Sequence, residues 1–216
     1  MEKNKEYEKI KNHWKEQESS IKGVLNGFED LNKPDIEFSI KLLNYLKEKK
    51  IIKNNKKALD CASGIGRVTE LVLVNFYDKI DLFEQEDNFI NKMKDKFVNN
   101  NQIGLIEKNT LQNFKFDCNY DLIWIQWCLE NLNKNDIIVF LLKCKNNLSK
   151  NGLIIIKEKC LLKKKSFLAN DLSIQRNEKF YLSIFKKCKF KIIKKGKNEN
   201  WPKEFIPLNY FILSNI

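Results

Sequence analysis

The segment Leu59-Asp60-Cys61-Ala62-Ser63-Gly64-Ile65-Gly66-Arg67 constrains this chain more than any other. A short apolar run closes on an acid, two glycines follow, and a helix-compatible stretch begins at Arg67. Glycine at such a junction lets the backbone turn sharply out of a strand and leaves room for a ligand against the next helix N-terminus. A lone Gly-x-Gly recurs by chance, and the competing reading is an ordinary strand-to-helix turn. The surroundings favour a ligand site. Ile80-Asp81-Leu82-Phe83-Glu84 reads as the next strand, and Glu84 stands 20 residues after Gly64, the spacing of a carboxylate that grips ribose hydroxyls. A dinucleotide loop wants a third glycine, and Thr69 stands there instead, so a pyrophosphate-bearing ligand fits less well.

The rest of the chain continues the alternation. Strand-like runs lie at 58–61, 80–84, 103–107, 121–126 and 153–157, and helical periodicity lies around 89–98, 136–148 and 172–188. Strands alternating with such helices predict βαβ units and a parallel sheet covered on both faces. Two last runs, 190–194 and 205–213, with Pro202 and Pro207 nearby, predict an antiparallel hairpin at the sheet edge. The expected fold is therefore α/β, with a mostly parallel seven-stranded sheet and helices on both faces. Residues 1–50 read as a helical extension, in which Tyr7, Ile10 and Trp14 recur at helix spacing and Gly23–Phe28 forms a glycine-punctuated turn; residues 51–216 read as the core. No internal repeat or interdomain linker divides the chain, so one domain is expected over 1–216.

A formal charge of +12 raises nucleic acid or an anionic membrane as a partner. Of the 40 basic residues, however, only Arg67 and Arg176 are arginines. Readers of phosphate and guanine lean on arginine's bidentate fork, so the charge reads as a solvated lysine coat making at most weak, salt-sensitive contacts. The six cysteines show no Cys-x-x-Cys spacing, and His13 is the only histidine, which argues against a metal centre. The N-terminus carries no signal-like apolar stretch, and no run approaches the ~18 apolar residues of a membrane span. A soluble, intracellular protein is expected.

An acid, a short glycine loop and an acidic strand end together resemble the AdoMet-binding signature of Rossmann-like class I methyltransferases. The likeness sharpens with Tyr120-Asp121-Leu122-Ile123-Trp124-Ile125-Gln126-Trp127, Asn151-Gly152-Leu153-Ile154-Ile155-Ile156-Lys157-Glu158 and Trp14. With these motifs the whole chain resembles the protein α-N-terminal methyltransferase family, the X-Pro-Lys N-terminal methyltransferases. The resemblance implies methyl transfer from S-adenosyl-L-methionine (AdoMet), with S-adenosyl-L-homocysteine (AdoHcy) as product, to the free α-amine of proteins whose X-Pro-Lys N-terminus is exposed by Met removal. It also implies a cytoplasmic or nuclear protein with no membrane partner.

Carried over residue by residue, it puts the cofactor against Ala62 and Gly64, with Arg67 near the methionine carboxylate and Glu84 on the ribose. Gln85 and Glu86 would lie beside the adenosine, Leu111 and Gln112 would flank the adenine, and Gln126 would close the floor. Trp14, Leu25, Asn26 and Leu31 would belong to a lid, Trp127 would line the substrate channel, and Asp171 and Ser173 would fall on a substrate-contacting acidic segment. Asp171 is the expected general base, with helix N-capping as its alternative role. Asn131 replaces a histidine, cannot titrate, and is expected only to orient the amine. Ala62 replaces a loop glycine, Lys159 an asparagine, Leu168 an acid and Ile206 an aromatic residue. Those departures keep two other readings open: a methyltransferase for a small molecule or nucleic acid, and a non-catalytic protein of the same fold. A basic nucleic-acid-binding module is a third.

Overall fold

The computed structural model describes residues 2–162, 167–168 and 173–215. Two helices, α1 (Glu2–Lys15) and the short α2 (Ile21–Val24), precede the 17-residue α3 (Asn32–Glu48). Ser20 caps α2 by accepting from the Gly23 amide at 3.1 Å. From there strands and helices alternate: β1 (Lys57–Cys61), α4 (Arg67–Leu71), β2 (Lys79–Glu84), α5 (Asp87–Phe97), β3 (Ile103–Lys108), β4 (Tyr120–Gln126), α6 (Lys134–Asn146) and β5 (Leu148–Leu161). The chain ends with β6 (Phe167–Leu168), β7 (Ile174–Asn177), α7 (Glu178–Lys187), β8 (Lys191–Lys197) and β9 (Leu208–Ser214).

Strands β3, β2, β1, β4 and β5 pair in that order and in parallel, then β9 runs antiparallel to β5 and β8 antiparallel to β9. The period-2 alternation of each strand divides its side chains between two cores. Leu59, Phe83, Ile123 and Ile125 pack with α6 and α7, while Ala58, Leu82, Leu122 and Trp124 pack with α3 and α5. Helix α5 shows why these residues fold so: Phe89, Ile90, Met93 and Phe97 share its buried face, with Asp87 in its first turn and Lys94 and Lys96 in its last.

Three expectations need correcting. Among the described residues the sheet has nine strands, because β5 runs beyond the main sheet and its Cys160–Leu161 end pairs with β7, which in turn pairs with β6. The helix expected from 172 starts only at Glu178, capped by the Asn177 side chain, which accepts from the Phe180 amide at 2.9 Å. Gln175 and Arg176, polar yet buried, make 174–177 a strand by finding tertiary partners: the Arg176 guanidinium donates to the Leu129 carbonyl at 3.0 Å and to that of Leu132. The last strand also starts later than expected, at Leu208, since Pro207 has no amide to give the ladder; its carbonyl accepts from the Cys160 amide at 2.8 Å. Among the described residues no helix is long and apolar enough to cross a membrane.

Candidate active site

A cavity of about 940 Å³ opens at the C-terminal ends of β1, β2, β4 and β5, with α1 and the α2 turn on its other side. Ligands of open α/β sheets bind at that edge, where adjacent crossovers diverge.

One end is built from backbone. After β1 the chain holds Ala62, Gly64 and Gly66 in the left-handed region, at φ +50°, +57° and +72°. A Cβ on Gly66 would stand 2.6 Å from the Phe97 ring, so glycine is required there; one on Gly64 would meet Val24 of α2 at 3.2 Å. Ala62 carries its Cβ in a conformation that costs an L-residue roughly 1–2 kcal/mol. The loop aims the Gly64 amide at Glu84, whose Oε2 accepts it at 2.8 Å, while Oε1 accepts from the amides of Gln85 and Glu86 at 2.6 and 3.2 Å. Burial pushes the Glu84 carboxyl up from its ordinary value, and those three amides oppose the rise. Asp60, buried beside it and accepting from the Thr69 hydroxyl at 2.7 Å, is raised by burial to about 7. Gln85, Leu111 and Gln112 line the same end, and the Lys143 ammonium pins the Gln112 carbonyl at 2.6 Å. Glu86 does not line the cavity. It precedes α5 with its side chain buried and Oε1 unpartnered, so its expected place beside the adenosine is corrected to a position behind the wall.

The floor joins Arg67, Gln126 and Lys157, which the motifs include, to Asn32, Asp35 and Ser39, which they do not. Arg67 lines the cavity and donates to Asn32 Oδ1 at 3.0 Å and Asp35 Oδ2 at 2.9 Å. Gln126 also lines it and donates to Asp35 Oδ2 at 2.8 Å. Asp35, at the start of α3 and fully buried, is held on its other oxygen by the Lys157 ammonium, which donates to Ser39 Oγ at 2.6 Å as well. Burial alone would raise the Asp35 carboxyl, but Lys157 and Arg67 hold it below its ordinary value. The sequence signal was a charge directly after the apolar run Leu153–Ile156; nothing local named its partner 122 residues away.

The opposite end is built from side chains. Trp127, at φ +52°, follows β4 and turns into the cavity, while Trp124 stays in the core, as strand alternation required of one of the two. Its ring lies 5.8 Å from that of Trp201 and 5.4 Å from the Arg67 guanidinium, and its Nε1 is buried without a hydrogen-bond partner. Asn131 lines the cavity with Oδ1 buried and unpartnered. Glu130 beside it meets the Lys159 ammonium at 3.1 Å through Oε1 and the Gln175 amide at 3.0 Å through Oε2. Behind it Glu158 accepts from the amides of Cys128 and Leu129 at 3.1 and 2.9 Å; burial, then the neighbouring Glu130, pushes its carboxyl up to about 8.

Ser173 is buried, and its hydroxyl accepts from Gln175 Nε2 at 2.6 Å; it does not line the cavity, so its expected substrate contact is corrected to support of Glu130 through Gln175. Asp171 lies outside the described residues, and the helix it was expected to cap instead begins at Glu178. Trp14, Leu25, Asn26 and Leu31 all line the cavity, and Asn26 Oδ1 sits 3.0 Å from His13 Nε2. Tyr7 ties α1 to the α6 N-terminus, donating to Asp136 Oδ2 at 2.5 Å and accepting from the Asn133 amide at 3.1 Å.

The residues present fit AdoMet. A glycine turn leaves open space, Glu84 offers carboxylate oxygens to a ribose diol, Leu111 and Phe89 offer an apolar wall to a base, and Arg67 offers a cation to a carboxylate. Fold and site together define a Rossmann-like AdoMet-dependent methyltransferase. Residues 2–214 match the family model described as AdoMet dependent proline di-methyltransferase, and the chain belongs to that family. It is 32% identical over 209 residues to alpha N-terminal protein methyltransferase 1 of Caenorhabditis elegans, covering 96% of this chain and 89% of that one. It is 33% identical over 138 residues to N-terminal Xaa-Pro-Lys N-methyltransferase 1-B of Xenopus laevis, covering 62% of each. A solved SAM-dependent methyltransferase of Leishmania major superposes with TM-score 0.90 at 27% identity, covering 97% of this chain and 83% of that one.

Proposed function

We propose that the side-chain-built end of the cavity receives the N-terminus of a protein beginning X-Pro-Lys and presents its α-amine for methylation. The observation that carries this reading is an unpartnered acceptor, Asn131 Oδ1, beside an aromatic wall of Trp127, Trp201 and Phe205. An amine supplies the missing donor, and a proline ring suits the flat aromatic faces. Glu84, Leu111 and Arg67 would hold the cofactor, which would supply a methyl group already activated on its sulfonium. The protein's work is then to align a neutral amine and exclude water. A free α-amine has a pKa of ~7.7–8.0, so part of it is neutral near pH 7. Asn131 orients it by hydrogen bonding, and Asp171, assigned from the sequence alone, accepts its proton. The third-residue lysine approaches Glu130, whose contact with Lys159 it has to share or displace.

Incubation with AdoMet and either Ser-Pro-Lys or N-acetylated Ser-Pro-Lys peptides, read by mass spectrometry, tests the proposal. Mass gains in methyl steps are expected on the free peptide alone. A gain on the acetylated peptide, or on neither, contradicts it.

A further inference from the structure

Lys157 is the only lysine fully buried among the described residues, and it touches no part of the cavity. It faces Gln126 across the β4–β5 register, with its ammonium 5.6 Å from the Trp124 ring and 5.8 Å from that of Phe38. A buried ammonium is costly to desolvate and persists only with a paired anion. Its anion is Asp35, and Asp35 is simultaneously the partner of Arg67. The three charges are enclosed together, and only Arg67 reaches the cavity.

With Asp35 and Arg67 alone, the guanidinium would be neutralised, and an acid would stand close to any anion that Arg67 is meant to hold. With Lys157 present, two cations face Asp35, while Asp60, the other acid that interacts with Arg67, is pushed by burial towards its neutral form, and a net positive charge is left. We infer that Lys157 is a positioning residue for the cofactor's amino-acid end: it offsets Asp35, so that Asp35 can fix Arg67 in place without cancelling the charge Arg67 presents to a carboxylate. The inference rests on the AdoMet reading of the cavity but not on the identity of the methylated substrate.

The test is calorimetric binding to the full chain of AdoHcy, which has an amino-acid carboxylate, and of 5′-methylthioadenosine, which lacks one. Lys157→Met keeps the length and removes the charge; it should weaken AdoHcy about tenfold, the scale of one charge-assisted contact, and leave methylthioadenosine unchanged within about twofold. The double variant Asp35→Asn with Lys157→Met removes both charges and should return AdoHcy to within about threefold of wild type. Unchanged AdoHcy binding in Lys157→Met overturns the inference. So does equal weakening of both ligands, which is what simple loosening of the core would produce. If Lys157→Met does not fold, the double variant decides alone: it must hold AdoHcy within that margin, and a tenfold loss with methylthioadenosine retained overturns the inference. A wild-type chain that binds neither ligand refutes the cofactor assignment, and the inference falls with it.

Discussion

Glu84 and Glu130 face one cavity from opposite ends, and the fold treats them differently. Glu84 is fixed by three backbone amides of the loop and strand end that define the sheet's switch point. Glu130 is held through side chains, Lys159 and Gln175 among them, next to acceptor atoms of Asn131 and Glu158 that have no hydrogen-bond partner. A backbone-held carboxylate is in place before any ligand arrives and depends little on neighbouring residue identities. A side-chain-held one can exchange partners and can be retuned by substitution.

The comparison can be broken most forcefully at Glu84. Glu84→Ala should weaken AdoHcy about a hundredfold by calorimetry, losing two charge-assisted hydrogen bonds to the ribose, while a Ser-Pro-Lys peptide binds as before. Equal loss of both ligands would mean that the ends are not separable.

A smaller effect concerns pH. Glu158, at about 8 when folded against ~4.3 unfolded, holds its proton more tightly in the native state. Its contribution to stability is therefore full below the unfolded value and declines as pH rises through about 8, and Asp60, at about 7, acts in the same sense. Wild-type Tm should fall between pH 5 and 9, by roughly 2–4 °C for each kcal/mol lost, and Glu158→Gln should flatten part of that fall. An unchanged slope in the variant would remove Glu158 as its source.

The smallest effect belongs to the loop. Ala62→Gly relieves a positive φ at some entropic cost to folding, so a net gain of about 0.5–1 kcal/mol is expected, visible as a Tm rise of a few degrees with AdoHcy affinity kept or improved. A fall in Tm would show that Ala62 is not strained.

What could be read from the sequence divides along the same line. The parallel strands showed as short apolar runs alternating with helical segments, and the glycine loop and Glu84 were singled out 20 residues apart; the structure brings them together through the Gly64 amide. Short-range chemistry of that kind leaves short-range patterns. The pairing of Asp35 with Lys157 left none, because it closes only when α3 docks on β5. Strand β7 was hidden for a related reason: Asn170-Asp171 looks like a helix cap, yet the cap that is used is Asn177, because Arg176 and Gln175 are drawn into the fold by carbonyls and a carboxylate distant in sequence. Glu86 and Ser173 fell on the right segments but do not line the cavity.

We propose a cavity with a cofactor end and a separate acidic end for an X-Pro-Lys N-terminus. Measuring kcat/KM for Ser-Pro-Lys and Ser-Pro-Gln peptides in wild type and Glu130→Gln, together with AdoHcy affinity, tests it most directly. A preference for lysine of about tenfold is expected in wild type, with its loss in the variant and AdoHcy affinity unchanged within about twofold. A lysine preference that survives in Glu130→Gln, or one lost together with AdoHcy binding, would contradict it.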